Sequence, residues 1–363
     1  MNLRAITTDT ATRSLLISCA VLSPQPTGIS TYLSGVLPHL RSLSPTLLSA
    51  QPHSPFAIES IPGNLSAAHG SGGHARRLLW TQFQLPVIYR RLKANLLFSP
   101  LPEAPLYSDC RSIVMAHDLI PLRFGRARSP LTTYFRYWLP QVLKQAEHIV
   151  CNSTATAQDL ADFFGIAANK ITPILLAYDA DRFFDRHLPT RNYFLYVGRH
   201  DPYKNLHRLI EAFAAISGEQ ELWIAGPIDR RYTPDLKAQV EHLELGDRVK
   251  FLDYVTSEQL PILMAEAIAL VLPSLWEGFG LPVLEAMACG TPVITSTLSS
   301  LPEVAGNAAI LVNPYRVEEL TDAMKIMLSG ARSNLRAASL ARASQFSWAK
   351  TGSETAKLIQ KFS

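Results

Sequence analysis

The stretch Ile268-Ala-Leu-Val-Leu-Pro-Ser-Leu-Trp-Glu-Gly-Phe-Gly-Leu-Pro-Val-Leu-Glu-Ala-Met-Ala-Cys-Gly-Thr-Pro-Val-Ile294 reads as strand, turn, helix and strand in one short run. The apolar run 268–272 has the length of a buried strand. Pro282 suits a helix start, where its missing N–H would have no partner anyway. A second apolar run at 292–295 resumes a strand. Between the strands lie two carboxylates eight positions apart, Glu277 and Glu285. The N–H groups around Gly278, Phe279, Gly280 and Leu281 can meet an anion, assisted by the helix dipole. Glu285 lies about one turn into the helix and can point back toward the same ligand. Its carboxylate can accept two hydrogen bonds from a vicinal diol such as ribose. Glu277 is placed for a second set of hydroxyls. A ligand carrying both phosphate and sugar fits this segment. The bland alternative is a capping turn with two solvated glutamates.

Working outward, the same alternation runs through the second half of the chain. Strands are expected at 193–197, 221–225, 249–252, 268–272, 292–295 and 309–312. Helices are expected around 206–213, 233–244, 257–265 and 317–328 and in the tail. Leu206, Leu209, Ile210 and Phe213 share one helical face. Ser257 reads as an N-cap. Such a βαβ series predicts a parallel sheet with helices on both faces, bound by ligands at the strands' carboxyl ends. The first half reads similarly, with strands at 15–22, 95–99, 112–116 and 147–151. Residues 42–73, rich in Ser, Pro and Gly, read as a long loop with a strand inside it. The fold class is therefore α/β, with two doubly wound Rossmann-like domains facing a cleft. The boundary is placed in the Asp- and Pro-containing segment 178–190. The expected division is an N-terminal domain at 1–178, a C-terminal domain at 179–346 and a final helix at 347–363.

Composition agrees with two globular cores: 47% hydrophobic and 18% charged in 363 residues. A formal charge of +4 gives no case for nucleic acid. Its distribution is uneven, since residues 1–150 hold 14 Lys+Arg against 6 Asp+Glu. That half should meet an anionic partner or surface. Residues 74–94 carry Arg76, Arg77, Arg90, Arg91 and Lys93 among Trp80, Phe83, Ile88 and Tyr89. Arg123, Arg126, Arg128 and Arg136 lie among Phe124, Tyr134, Phe135 and Trp138. Both read either as helices for a membrane surface or as ordinary helices with solvated arginines. Cys19, Cys110, Cys151 and Cys289 lack metal-ligand spacing and suit a reducing cytosol. Arg4 and Arg13 before the apolar run 15–22 could mimic a signal peptide, but the run is short and is taken as the first strand. No run reaches the ~18 apolar residues of a membrane span. The expected location is cytoplasmic, with peripheral contact at the inner membrane face.

A second motif is Val197-Gly-Arg-His-Asp-Pro-Tyr-Lys-Asn-Leu206. Two cations at a helix start oppose its dipole unless an anion neutralises them. Arg199 can grip two phosphate oxygens, while Lys204 supplies a compact charge. Asn205 is expected to cap the helix. Gly198 and Gly226, with Tyr254 near a later strand end, belong to loops expected to share the ligand rim. Gly28, in Pro24–Tyr32, either allows close approach to a ligand or simply makes a βα turn. His117, in Ala116-His-Asp118, ends a strand and could face the cleft. Asn152-Ser153 is the expected cap of the helix carrying Leu160 and Phe164. No Walker A, zinc, iron–sulfur, EF-hand or dinucleotide fingerprint is present.

Together these motifs resemble the retaining GT-B glycosyltransferases of family 4. Val197–Phe213 is similar to that family's diphosphate-binding segment, and Ser274–Ile294 to its E-x7-E signature. Ser299–Gly306 and Phe346-Ser-Trp348 are similar to its endings. Thr27-Gly-Ile29 resembles its acceptor-side glycine loop, and His117-Asp118 a His-Asp pair ending a strand. The wording around Trp276–Pro282 and Ser299–Val304 looks like mannosyltransferases of O-antigen or exopolysaccharide assembly. The resemblance implies donor binding by the C-terminal domain and acceptor binding by the N-terminal one. Arg199 and Lys204 would hold the diphosphate, Glu285 the ribose, and Glu277 with the 278–281 backbone the sugar. His117 would touch the donor sugar, and the final helix would cross back to the first domain. The implied donor is a nucleotide-sugar, with GDP-mannose favoured over UDP- or dTDP-sugars. The implied acceptor is a glycan or a polyprenyl-diphosphate-linked sugar. Neither a cofactor nor a metal is implied, and the leaving charge would be met by side chains. Gly28-Ile-Ser-Thr-Tyr32 departs from the family's Gly-Ile-Gly-Arg-Tyr. Competing readings are a GT-B-like epimerase, a phosphorylase and a non-catalytic nucleotide-sugar sensor. The family's terminal motifs argue against the first, chain length against the second, and the intact charged residues against the third.

Overall fold

The computed structural model describes residues 14–22, 28–125, 129–330 and 332–363. Two parallel sheets organise it. The first contains β1 (Ser14–Ser18), β2 (Thr46–Ser49), β3 (Ala57–Ser60), β4 (Ala94–Ser99), β5 (Ser112–Ala116), β6 (His148–Cys151) and β7 (Ile171–Pro173), in the order β3-β2-β1-β4-β5-β6-β7. The second contains β8 (Tyr193–Val197), β9 (Glu221–Ala225), β10 (Val249–Phe251), β11 (Ala269–Leu272), β12 (Val293–Ser296) and β13 (Ile310–Val312), in the order β10-β9-β8-β11-β12-β13. Each order reverses once, between β1 and β4 and between β8 and β11. This is the doubly wound arrangement, whose reversal point opens a crevice at the strands' carboxyl ends.

The second sheet forms where its strands are apolar on both faces, as a parallel sheet under two helical layers requires. Phe194, Leu195, Leu270, Val271 and Ile294 are fully buried. Leu195 pairs with Trp223 on one side and Leu270 on the other. The helices needed below are α1 (Gly28–Val36), α2 (Gly70–Phe83), α3 (Leu85–Arg91), α4 (Thr154–Phe164), α5 (Leu206–Ala214), α6 (Leu281–Ala288) and α7 (Trp348–Phe362).

By packing, the chain divides into two compact units. One takes residues up to 115 with 138–149 and 352–363; the other takes 116–137 and 150–351. Within the first unit, the end of α7 sets Phe362 against His148 (ring centroids 5.0 Å) and brings Gly352 against the His39 side chain.

Several sequence expectations are corrected. The 42–73 stretch is not one long loop: it contains β2 and β3 before α2 begins. The first strand ends at Ser18 rather than residue 22. Ser257 does not cap the following helix, which starts at Leu260; Thr256 Oγ1 instead accepts the Gln259 N–H (3.3 Å). Asn205 sits at the N-cap position of α5, but in a left-handed conformation with no side-chain cap. Its amide donates to the Pro273 (3.0 Å) and Pro314 (2.6 Å) carbonyls and so ties the loop after β8 to the end of β11. Ser153 caps α4 as expected, accepting the Thr156 N–H at 3.0 Å. The 24–27 part of the Pro24–Tyr32 turn, Arg4, Arg13, Arg126 and Arg128 lie outside the described residues.

Candidate active site

The loops after β8 and β11 flank the reversal point of the second sheet, and they are joined directly. The Leu275 N–H donates to the Tyr203 carbonyl at 2.7 Å. Lys204 Nζ donates to both Glu277 carboxylate oxygens, at 2.7 and 2.9 Å, and Ser274 Oγ donates to Glu277 Oε1 at 2.7 Å. Both side chains are largely shielded from solvent. A shielded ion pair is held well only when its remaining hydrogen-bonding capacity is also met. Ser274 supplies part of that here.

The main chain of Glu277 is fixed as firmly as its side chain. Its N–H donates to Ser299 Oγ (3.2 Å), and Ser300 Oγ donates to its carbonyl (3.0 Å). Ser300 Oγ also lies 2.8 Å from the Phe279 carbonyl. Glu303 caps α4 from outside, its carboxylate accepting the Thr154 (3.0 Å) and Ala155 (3.2 Å) N–H groups. Ser299-Ser-Leu-Pro-Glu303 is thus a clasp between the Glu277 turn and α4. The Phe279 side chain is buried edge-on to Phe346 (6.3 Å), so only its main chain is available to a ligand.

Gly278 packs against His117. A Cβ at position 278 would overlap the His117 carbonyl oxygen and lie 3.0 Å from Asp118 Cβ. Thr156 Oγ1 lies 3.5 Å from the His117 carbonyl and 3.4 Å from that of Gly278. His117 and Glu277, far apart in sequence, are therefore neighbours within one unit. Asp118 accepts the Ile120 N–H (3.0 Å), and burial raises its pKa, with Glu277 adding repulsion.

Gly280 caps α6 with φ of 100°, a backbone conformation that suits glycine. Leu281 and Pro282 open the helix, and Glu285 follows one turn in, half-buried. Loss of water pushes the Glu285 carboxyl up to about 7, opposed by the charge of Arg182.

The remaining predicted residues are less tightly gathered. Arg199, with its side chain 64% exposed, pairs with Asp201 (3.0 Å) rather than with Glu277. It lines a cavity of about 460 Å³ with Asp118, Tyr203 and Arg231. Gly226 packs on the Gly198 carbonyl, joining the turns after β8 and β9. Tyr254 is 77% exposed. Gly28 starts α1, and no described atom lies within 4 Å of a Cβ placed there, so no close backbone approach among those atoms demands a glycine.

Sequence reasoning missed Arg123, Arg231, Ser274 and Thr156. The sequence places Arg123 in a basic, aromatic run that suits either a membrane surface or ordinary helices with solvated arginines. It instead makes a two-pronged pair with buried Asp159 and lies 3.6 Å from the centre of the Trp276 ring. Such stacking is characteristic of arginine. It fixes the residue immediately before Glu277.

Residues 178–344 match the family model described as glycosyl transferases group 1, and residues 26–182 match Glycosyltransferase Family 4. The O-antigen chain mannosyltransferase RfbU of Salmonella typhimurium is 29% identical over 86% of this chain and 90% of its own length. The O-antigen chain mannosyltransferase B of Escherichia coli is 32% identical over 61% of this chain and 62% of its own. The crystal structure of HepE from Anabaena, in complex with UDP and glucose, superposes with a TM-score of 0.74 at 19% identity. It covers 96% of this chain and 100% of that one. At that identity the likeness is one of fold, and the fold is GT-B. Two adjoining family matches, on a chain with both parallel sheets in place, make this protein a member of the family 4, group 1 glycosyltransferases.

Proposed function

We propose that the protein transfers mannose, with retention at the anomeric carbon, from GDP-mannose to a glycan or polyprenyl-diphosphate-linked acceptor in polysaccharide assembly. The carrying observation is the Lys204–Glu277 contact at the sheet's reversal point, beside the N-terminus of α6. The names of the related O-antigen mannosyltransferases favour mannose over other sugars; GDP is the base that the sequence resemblance implies.

In this reading the diphosphate meets Lys204, Arg199 and the first N–H groups of α6. Glu285 accepts the ribose hydroxyls, while Glu277 and the 278–281 main chain meet the sugar. Gly198, Gly226 and Tyr254 border the nucleotide, Gly28 belongs to the acceptor side, and His117 contacts the donor sugar. The bond from the anomeric carbon to the phosphate oxygen breaks, and its electron pair passes to the phosphate. Cationic side chains and helix N–H groups stabilise that charge electrostatically, so no metal is required. The acceptor oxygen bonds to the same face of the sugar, and its proton passes to the departing phosphate oxygen.

The test is incubation of the whole protein with GDP-mannose, UDP-glucose or a dTDP-sugar and a panel of glycan and polyprenyl-diphosphate-linked sugar acceptors, with and without EDTA. Nucleotide release is assayed, and the product anomer is read by proton NMR. GDP release with an α-linked product is expected. Release from another donor alone would refute the donor, a β-linked product the stereochemistry, and abolition by EDTA the metal-free step.

Peripheral membrane contact belongs to the same reading. Along α2 and α3, Leu79, Phe83 and Val87 are 60%, 65% and 53% exposed, four residues apart. Residues 70–94 contain no acidic side chain. Arg77 is occupied by Glu103 (2.8 Å) and Arg91 by Glu59 (2.6 Å). Exposed Arg90 and Lys93 lie on the same segment as the apolar ridge. An apolar ridge with cations beside it suits an anionic lipid surface.

A further inference from the structure

One face of α4 reaches both neighbours of Glu277. After Glu277, Thr156 Oγ1 lies 3.4 Å from the Gly278 carbonyl. Before it, the contact is indirect. Asp159 takes Arg123 with both carboxylate oxygens, Oδ2 accepting from Nε at 3.3 Å and Oδ1 from Nη2. The guanidinium carbon then lies 3.6 Å from the centre of the Trp276 ring. Phe163 sets its own ring centre 5.1 Å from the same carbon. Offsets of three and four put Thr156, Asp159 and Phe163 on one side of the helix. All of these residues belong to the second unit.

The charge of Arg123 is met by Asp159, whose side chain is 2% exposed. What remains for Trp276 is a flat guanidinium face, and the two-pronged pair fixes its orientation. A lysine has no plane to stack and offers only a point charge. α4 is itself anchored at its N-terminus, by Ser153 and by Glu303.

The other supports of Glu277 differ in kind. Lys204 and Ser274 hold its carboxylate. In the glycosyl-transfer reading, that carboxylate turns to the sugar and Lys204 to the diphosphate when the donor binds. The Trp276 stack is committed to neither ligand group, so it can persist through that exchange of partners.

We propose that Arg123 is a positioning residue for transfer: clamped by Asp159 and stacked on Trp276, it keeps the Glu277 turn in register with the donor sugar while Lys204 and Glu277 engage the substrate. This role rests on the glycosyl-transfer reading and deepens it. A cation outside both charged motifs controls the sugar-contacting turn rather than nucleotide binding.

The test is steady-state turnover of GDP-mannose, with the acceptor panel above, by the whole protein, by Arg123→Lys, by Trp276→Leu and by the double variant. GDP serves as a competing inhibitor, and urea denaturation of each protein is recorded. Arg123→Lys should lower kcat about 10–10²-fold, the scale of a small misplacement transmitted to the reacting groups. The inhibition constant of GDP should stay close to the parent's, because GDP carries no sugar to meet the turn. Trp276→Leu should lower kcat to a similar extent with the Arg123–Asp159 pair still in place. The double variant should be no slower than the slower single one, the non-additivity expected when one group acts through the other. A purely structural role would lower the urea midpoint and leave kcat of the folded protein unchanged. A kcat close to the parent's in folded Arg123→Lys, GDP inhibition weakened in step with kcat, or additive effects in the double variant would each overturn the proposal. Should Arg123→Lys fail to fold, Trp276→Leu decides by the same two readouts. Absence of GDP release from GDP-mannose by the parent would instead refute the donor reading, so the two failures are distinguishable.

Discussion

Glu285 gives the sharpest residue-scale prediction. Burial pushes its pKa up to about 7, above the ordinary carboxyl value of 4.5. Between those values the folded chain holds a proton that the unfolded chain has released. Its contribution to stability therefore falls as pH rises through that window. Donor binding moves oppositely, because the carboxylate is the form that accepts two ribose hydroxyls. Titration calorimetry with GDP should show affinity rising between pH 6 and pH 8, and Glu285→Gln should flatten the rise; an equally steep profile in the variant would assign the proton elsewhere. At this scale the sequence was partly legible. Lys204 and Glu277 each lie in a contiguous strand–turn–helix motif, and opposite charges at two such turns imply a shared ligand. Arg123 was not legible. Its partners, Asp159 and Trp276, are distant in sequence, and its neighbours in an arginine-rich run suggest an exposed surface.

At the scale of elements, the contact between the His117 turn and the Glu277 turn should be sensitive to a single methyl group. The Cβ of Gly278→Ala would overlap backbone, which cannot swing aside as a side chain can. Urea denaturation should show a loss of about 1–3 kcal/mol, typical of overpacking. Thr156→Val keeps the shape but removes the shared hydroxyl, and should lose about 1 kcal/mol. An unchanged midpoint for Gly278→Ala would show that the two turns do not depend on each other. The long parallel strands were legible because their runs are apolar on both faces. Only one strand was expected where β2 and β3 both form, because the surrounding stretch is rich in Ser, Pro and Gly and edge strand β3 is mostly exposed, with no periodic signal. The α7 contacts with His39 and His148 likewise join residues too far apart for any local pattern to show.

For the whole molecule, among the described residues no helix is long and apolar enough to cross a membrane, and the proposed lipid contact is assigned to the α2–α3 ridge. Flotation should recover the protein with vesicles containing phosphatidylglycerol and not with pure phosphatidylcholine, less so at high salt. Replacing Phe83 and Val87 by serine should weaken recovery roughly tenfold or more, from lost apolar contact. Equal recovery of parent and variant would remove the α2–α3 ridge from the account. The central claim remains the charge-bearing turn pair of the second sheet. The most direct measurement is GDP release from GDP-mannose by the parent protein and by Lys204→Ala, with circular dichroism confirming that both are folded. The account predicts a fall in turnover of about 10²–10³-fold, the scale of losing one preorganised charge-stabilising group. Turnover within a few-fold of the parent in a folded Lys204→Ala protein would contradict it.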